Sequence, residues 1–152
     1  MRFTVVSVFI CVLFTIVAAR DDKQSDVIGG LRNTFSISSA DVEGCLNKMK
    51  AVYSDFVAFE SSIGERDMNA MNSTSVRRAT CAVACCAQIQ GSMSGAQLQL
   101  ANMHRLVKEW DPPADVINKV LKMLNTCYDR VKGITNECDV VYKFVECVSL
   151  EA

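Results

Sequence analysis

The residues able to carry chemistry are eight cysteines, one histidine and the stretch Gly91-Ser92-Met93-Ser94-Gly95. Cys11 falls in an apolar N-terminal run, which leaves Cys45, Cys81, Cys85, Cys86, Cys127, Cys138 and Cys147 for the folded chain. Thiols at this density serve as metal ligands, nucleophiles or disulfides. Metal binding fits poorly, because Cys81, Cys85 and Cys86 read C-x3-C-C rather than paired C-x2-C. A single histidine, His104, excludes the HExxH zinc helix and any site built on two imidazoles. It stands beside Arg105 on a stretch whose apolar face carries Met103 and Val107, a rim position without the partner a general base needs. The 91–95 stretch approaches a nucleophile elbow, but Met93 occupies the nucleophile position and the context is a helix-to-helix loop, so it reads as a flexible turn. No catalytic residue, metal site or cofactor is expected.

Disulfide formation remains. With Cys86 set aside the spacing is C-x35-C-x3-C-x41-C-x10-C-x8-C, and six cysteines allow fifteen pairings. Cys81 and Cys85 lie one turn apart on one helical face, where a mutual bridge would strain the helix. Cys138 and Cys147 are nine residues apart, half a turn out of phase along a continuous helix. Both features favour interleaved bridges across long loops. Cys86 makes the count odd; it reads as a small buried apolar residue, with an intermolecular bridge or competition for the partner of Cys85 as the sharper alternative.

The elements that must position these residues are helical. Val42, Leu46, Met49, Tyr53 and Phe56 recur at i, i+4, i+7, i+11 and i+14, one stripe of a helix with Ser39 as its cap. A polar connection over 64–75 holds the glycosylation sequon Asn72-Ser73-Thr74. A second helix starts with Ser75 as cap, carries Val76, Cys81, Val83, Cys85 and Ile89, and stops at Gly91. Leu100, Met103, Val107 and Trp110 mark a third, ended by Asp111-Pro112-Pro113. Ile117, Val120, Leu124, Cys127 and Val131 mark a fourth up to Gly133, and Thr135 or Asn136 caps a last one through Val141, Val145 and Val148. Nothing reads as a strand ladder. The expected fold is all-α, a single compact domain of about six short helices.

The compartment follows from the N-terminus. Residues 1–19 combine Arg2, an apolar run and Val17-Ala18-Ala19, the pattern of a cleaved signal peptide. Read as an uncleaved anchor, the run sits at the short end of bilayer-spanning length and is followed directly by polar residues. The protein is therefore expected to be secreted. Residues 20–38 carry charges and Gly29-Gly30 without a clear period, and read as a mobile or extended arm. Without Arg2, 15 Lys and Arg face 17 Asp and Glu, which leaves no polybasic footprint for nucleic acid or membrane.

The cysteine intervals from Cys45 to Cys147, the leader, the chain length and the helical pattern together resemble the insect odorant-binding proteins. The resemblance implies a six-helix fold around an apolar cavity, with bridges Cys45–Cys85, Cys81–Cys138 and Cys127–Cys147, an interleaved set. It implies a domain over 39–152 whose cavity faces Met68, Val83, Ala87 and Met93, then Leu100, Leu106, Leu121, Leu124 and Tyr128, and finally Phe144 and Val148. Tyr128 would offer a hydroxyl to a ligand oxygen in an otherwise apolar site. Two other disulfide-rich helical classes fit less well. Secreted phospholipase A2 requires a histidine where Ala87-Gln88-Ile89 follow the adjacent cysteines, and plant-type lipid-transfer proteins show a C-x-C that is missing here. The implied function is a secreted carrier that binds and solubilises small hydrophobic ligands, odorants or pheromones, for delivery to a chemosensory receptor, as a monomer or weak homodimer. A different reading is a glandular interaction protein that sequesters an apolar molecule or a protein partner; gland-restricted expression and a Cys86-dependent dimer would mark it. Some relatives release ligand in acid through a long C-terminal tail and histidines; five residues after Cys147 and one histidine imply weak acid release.

Overall fold

A computed structural model describes residues 23–67 and 69–152. The leader expected over 1–19 and the expected wall residue Met68 lie outside the described residues.

The described chain forms seven α-helices and one short hairpin. The first helix, α1 (Lys23–Phe35), occupies the stretch expected to be a mobile or extended arm. Val27, Leu31 and Phe35 fall at i, i+4 and i+8 and are all buried, so one apolar stripe overrides the helix-weakening Gly29-Gly30 pair. α1 packs on the next two helices and on the central one. Its first turn also reaches the chain 29 residues on: Gln24 Oε1 accepts the Tyr53 amide at 3.1 Å, and Lys23 Nζ lies 5.4 Å from the Tyr53 ring centre.

The stripe from Val42 to Phe56 belongs to two helices rather than one, α2 (Ser39–Met49) and α3 (Tyr53–Glu65). Ser38, not Ser39, caps α2, its hydroxyl accepting the Asp41 amide at 3.0 Å. Lys50 then turns left-handed at φ 55°, and the Ala51 amide closes the end by donating to Leu46 O at 2.9 Å. Asp55 restarts the helix by accepting the Val52 amide at 2.9 Å. The apolar phase survives the break, which is why periodicity alone reads it as one element.

A 3-10 turn (Ala70–Asn72) leaves Asn72 of the sequon exposed and leads into α4 (Thr74–Gln90). Ser73, two residues ahead of the expected cap, accepts the Val76 amide. α4 is the hub. Its buried Ala79, Ala82, Ala84 and Ala87 let α1, α2, α3 and the last helix approach closely. Met93–Ser94 (β1) and Gln97–Leu98 (β2) follow as a two-residue antiparallel hairpin turning at Gly95, a small ladder the sequence does not announce. Then come α5 (Leu100–Glu109), α6 (Ala114–Val131) directly after Pro112-Pro113, and α7 (Glu137–Glu151). Asn136 caps α7 by accepting the Cys138 and Asp139 amides at 3.0 and 3.2 Å.

The three bridges are Cys45–Cys85, Cys81–Cys138 and Cys127–Cys147. The first ties α2 to α4, the second α4 to α7, and the third α6 to α7. Cys81 and Cys85 thus reach different neighbours from one face, and Cys138 and Cys147 reach different neighbours from opposite sides of α7.

The buried apolar residues divide into two cores. The larger gathers α1 to α4 and the first half of α7, including Val27, Leu31, Val42, Phe59, Val76 and Tyr142. The smaller joins α5, α6 and the second half of α7 through Met103, Val107, Val120, Met123, Leu124, Cys127, Cys147 and Val148. Leu98 and Phe144 pack against both.

Candidate functional site

A cavity lies where the two cores meet. It is partly enclosed and open to solvent at its mouth. α1 contributes Thr34 and Phe35; α4 contributes Val83, Ala87 and Gln90. Ser92, Met93 and Leu98 come from the turn and hairpin, Met103 and Leu106 from α5, Leu124 from α6, and Val141, Phe144 and Val145 from α7. Phe144 and Leu98, the two residues shared by both cores, therefore sit on its wall. Eleven of these side chains are apolar and none carries a charge.

Of the positions expected at the wall, Val83, Ala87, Met93, Leu106, Leu124 and Phe144 are brought together there. Leu100, Leu121, Tyr128 and Val148 are not among the lining residues. Val148 is buried in the small core, and Leu100 and Leu121 pack against that core. Tyr128 is half-buried on α6 and is not among the residues that line the cavity. On the same helix Leu124, one turn earlier, faces the cavity. Thr34 and Phe35 escape sequence reasoning because their segment reads as an arm, and Gln90, Ser92 and Leu98 because they occupy a helix end and a hairpin. The signal for Phe35 lay in its spacing from Val27 and Leu31.

The C-terminus of α4 fixes the polar part of the wall. Gly91 adopts φ 94°, a conformation open to glycine. Its amide donates to Gln88 O at 3.2 Å and the Ser92 amide donates to Ala87 O at 2.9 Å, closing the helix. From the other side the Gln99 amide donates to Ser92 O at 2.8 Å. The Ser92 hydroxyl, held by these backbone bonds, donates to Gln90 Oε1. The remaining polar wall residue, Thr34, donates its hydroxyl to Gly30 O at 2.8 Å.

His104 stays outside the wall, its Nε2 2.9 Å from Asn125 Oδ1, linking α5 to α6 on the exposed side. Cys86 is fully buried in the large core, and burial together with the negative charge of Asp41 pushes its thiol up to about 11. An intermolecular bridge through Cys86 would require α4 to come away from its neighbours. Among the described residues no group of three or more His, Cys, Asp or Glu side chains is placed to hold a metal. Nor is any helix among them long and apolar enough to cross a membrane.

An apolar wall of this kind can take an apolar molecule out of water at about 25 cal/mol per Å² buried, and methionines in it can adjust to ligand shape. No curated protein and no solved structure matches the chain. The PBP/GOBP family model matches residues 39–151, from the start of α2 to the end of α7, and so takes in all three bridges and every wall residue except Thr34 and Phe35. The chain belongs to the PBP/GOBP family, the insect pheromone- and general odorant-binding proteins.

Proposed function

We propose that this protein carries small apolar odorants or pheromones in its largely apolar, uncharged cavity and delivers them to a chemosensory receptor. Proteins of the PBP/GOBP family are secreted binding proteins for small hydrophobic ligands. The observation that supports the reading in this chain is the cavity at the seam of the two cores, walled by Phe35, Leu98, Met103, Leu124 and Phe144 without a charged side chain. Residues 1–19 serve as the signal peptide in this reading, so the secreted chain begins near Arg20.

Fluorescence titration of the secreted, oxidised protein with an environment-sensitive apolar probe tests it, followed by displacement with volatile alcohols, esters and ketones. Saturable binding at micromolar or tighter affinity, reversed by some of the panel, is the expected result. A correctly bridged protein that binds no probe and yields no resident ligand on extraction would overturn the carrier reading.

A further inference from the structure

The cavity wall is apolar apart from Thr34, Gln90 and Ser92. A polar side chain on such a wall loses its water contacts when an apolar ligand fills the cavity, a cost of the order of kilocalories unless a partner replaces them. Thr34 is satisfied by Gly30 O and Ser92 by Gln90 Oε1. The Gln90 amide nitrogen, in contrast, donates to no group among the described residues; Gln90 is half-buried and its nitrogen stays open to water until a ligand fills the cavity. With its oxygen engaged by a hydroxyl whose own backbone is pinned at both N–H and C=O, Gln90 is held with Nε2 as its remaining donor.

Charge sharpens the choice of partner. The wall has no Lys, Arg or His to neutralise an anion. Gln90 and Ser92 also stand at the C-terminus of α4, where the helix dipole presents its negative end. A carboxylate brought there would be desolvated beside partial negative charge.

We propose that Gln90, braced by Ser92, is the specificity-determining contact of the cavity, donating from Nε2 to the oxygen of a neutral ligand (an ester, ketone, aldehyde or alcohol on an apolar chain) and that ionised fatty acids are discriminated against. This rests on the carrier reading and narrows it to a ligand class. Neutral acceptor and apolar chain then match the two parts of the wall, the amide at the end of α4 and the hydrocarbon surface of α5, α6 and α7.

The test is probe displacement from the wild-type protein, Gln90→Leu and Ser92→Ala by an alkane, methyl ketone, methyl ester and carboxylic acid of matched chain length at neutral pH. In the wild type the ionised acid should bind at least about tenfold more weakly than its methyl ester. Gln90→Leu should weaken ketone and ester by about tenfold, the consequence of leaving a buried acceptor unpaired. The alkane should stay within about twofold of its wild-type affinity, which also shows that the variant keeps its cavity. Ser92→Ala should weaken ketone and ester by about threefold, since Gln90 loses its brace. Ketone and ester affinities unchanged in Gln90→Leu, or all ligands weakened equally in both variants, would overturn the inference while leaving the carrier reading standing. A wild-type protein that binds no probe would overturn both.

Discussion

The large core around α4 and the small core between α5, α6 and the end of α7 differ in what fills them and in what ties them. The large core brings helices together over alanines and the small Cys86, and two bridges with sequence separations of 40 and 57 fasten it. The small core is filled by Met103, Met123 and Leu124 beside three valines, and one bridge of separation 20 fastens it. Small side chains permit close, rigid packing, whereas methionines fill irregular space and repack readily. The cavity opens where the rigid body meets the adaptable one, with Leu98 and Phe144 belonging to both. The comparison assigns stability mainly to the first body and adjustment to ligand shape mainly to the second.

Removing bridges should break the two bodies differently. Cys81→Ala with Cys138→Ala releases the longest closed loop and should cost about 4 kcal/mol in denaturant unfolding, by loop-closure entropy. The same change at Cys127 and Cys147 should cost about 3 kcal/mol. There the helical signal should persist at low denaturant while probe affinity falls more than about tenfold, because α6 is no longer held against α7 at the cavity. Equal loss of helicity in both variants would contradict two separable bodies.

Point substitutions sharpen the same contrast at smaller scale. Phe144→Ala on the shared wall should lose about 2 kcal/mol, below the full cost of a buried phenylalanine because the ring is only half-buried. It should weaken apolar ligands by about tenfold. Val76→Ala, deep in the large core, should also lose about 2 kcal/mol but leave affinity within about twofold. Cys86 should resist alkylation at pH 8 in the native protein and react on unfolding, since a thiol raised to about 11 stays protonated below that pH and is buried besides. The smallest effect is expected from pH. With no charged residue in the wall and His104 paired with Asn125 outside it, ligand affinity should change less than about threefold between pH 7 and 5. A tenfold loss at pH 5 would contradict an uncharged binding surface.

The part of this organisation legible in the sequence was the part carried by local pattern. Cysteine intervals pointed to the family and, through it, to the three bridges now seen. Helices ended by Gly91 and by Pro112-Pro113 lie where those residues demand. What stayed hidden depended on contacts between distant segments. α1 looked irregular because Gly29-Gly30 masks the stripe of Val27, Leu31 and Phe35, whose burial against later helices decides its fold. The break at Lys50 preserved the apolar phase and so left no trace in periodicity. On the wall, large apolar residues of helices, such as Leu106, Leu124 and Phe144, were readable. Gln90 and Ser92 were not, because their placement comes from a helix-ending turn joined to a hairpin, and Tyr128 was expected there although its position on α6 keeps it out of the wall.

The most direct test of the central claim, that the seam between the cores is the binding site, is a ¹³C-methyl correlation spectrum of the oxidised protein with and without saturating apolar probe. The account predicts shifts for Met93, Leu98, Met103, Leu106 and Leu124, which line the cavity, with Val27, Leu31 and Val42 in the large core unmoved. Wall methyls that stay in place while the probe binds, or shifts centred on Val27, Leu31 and Val42, would contradict it.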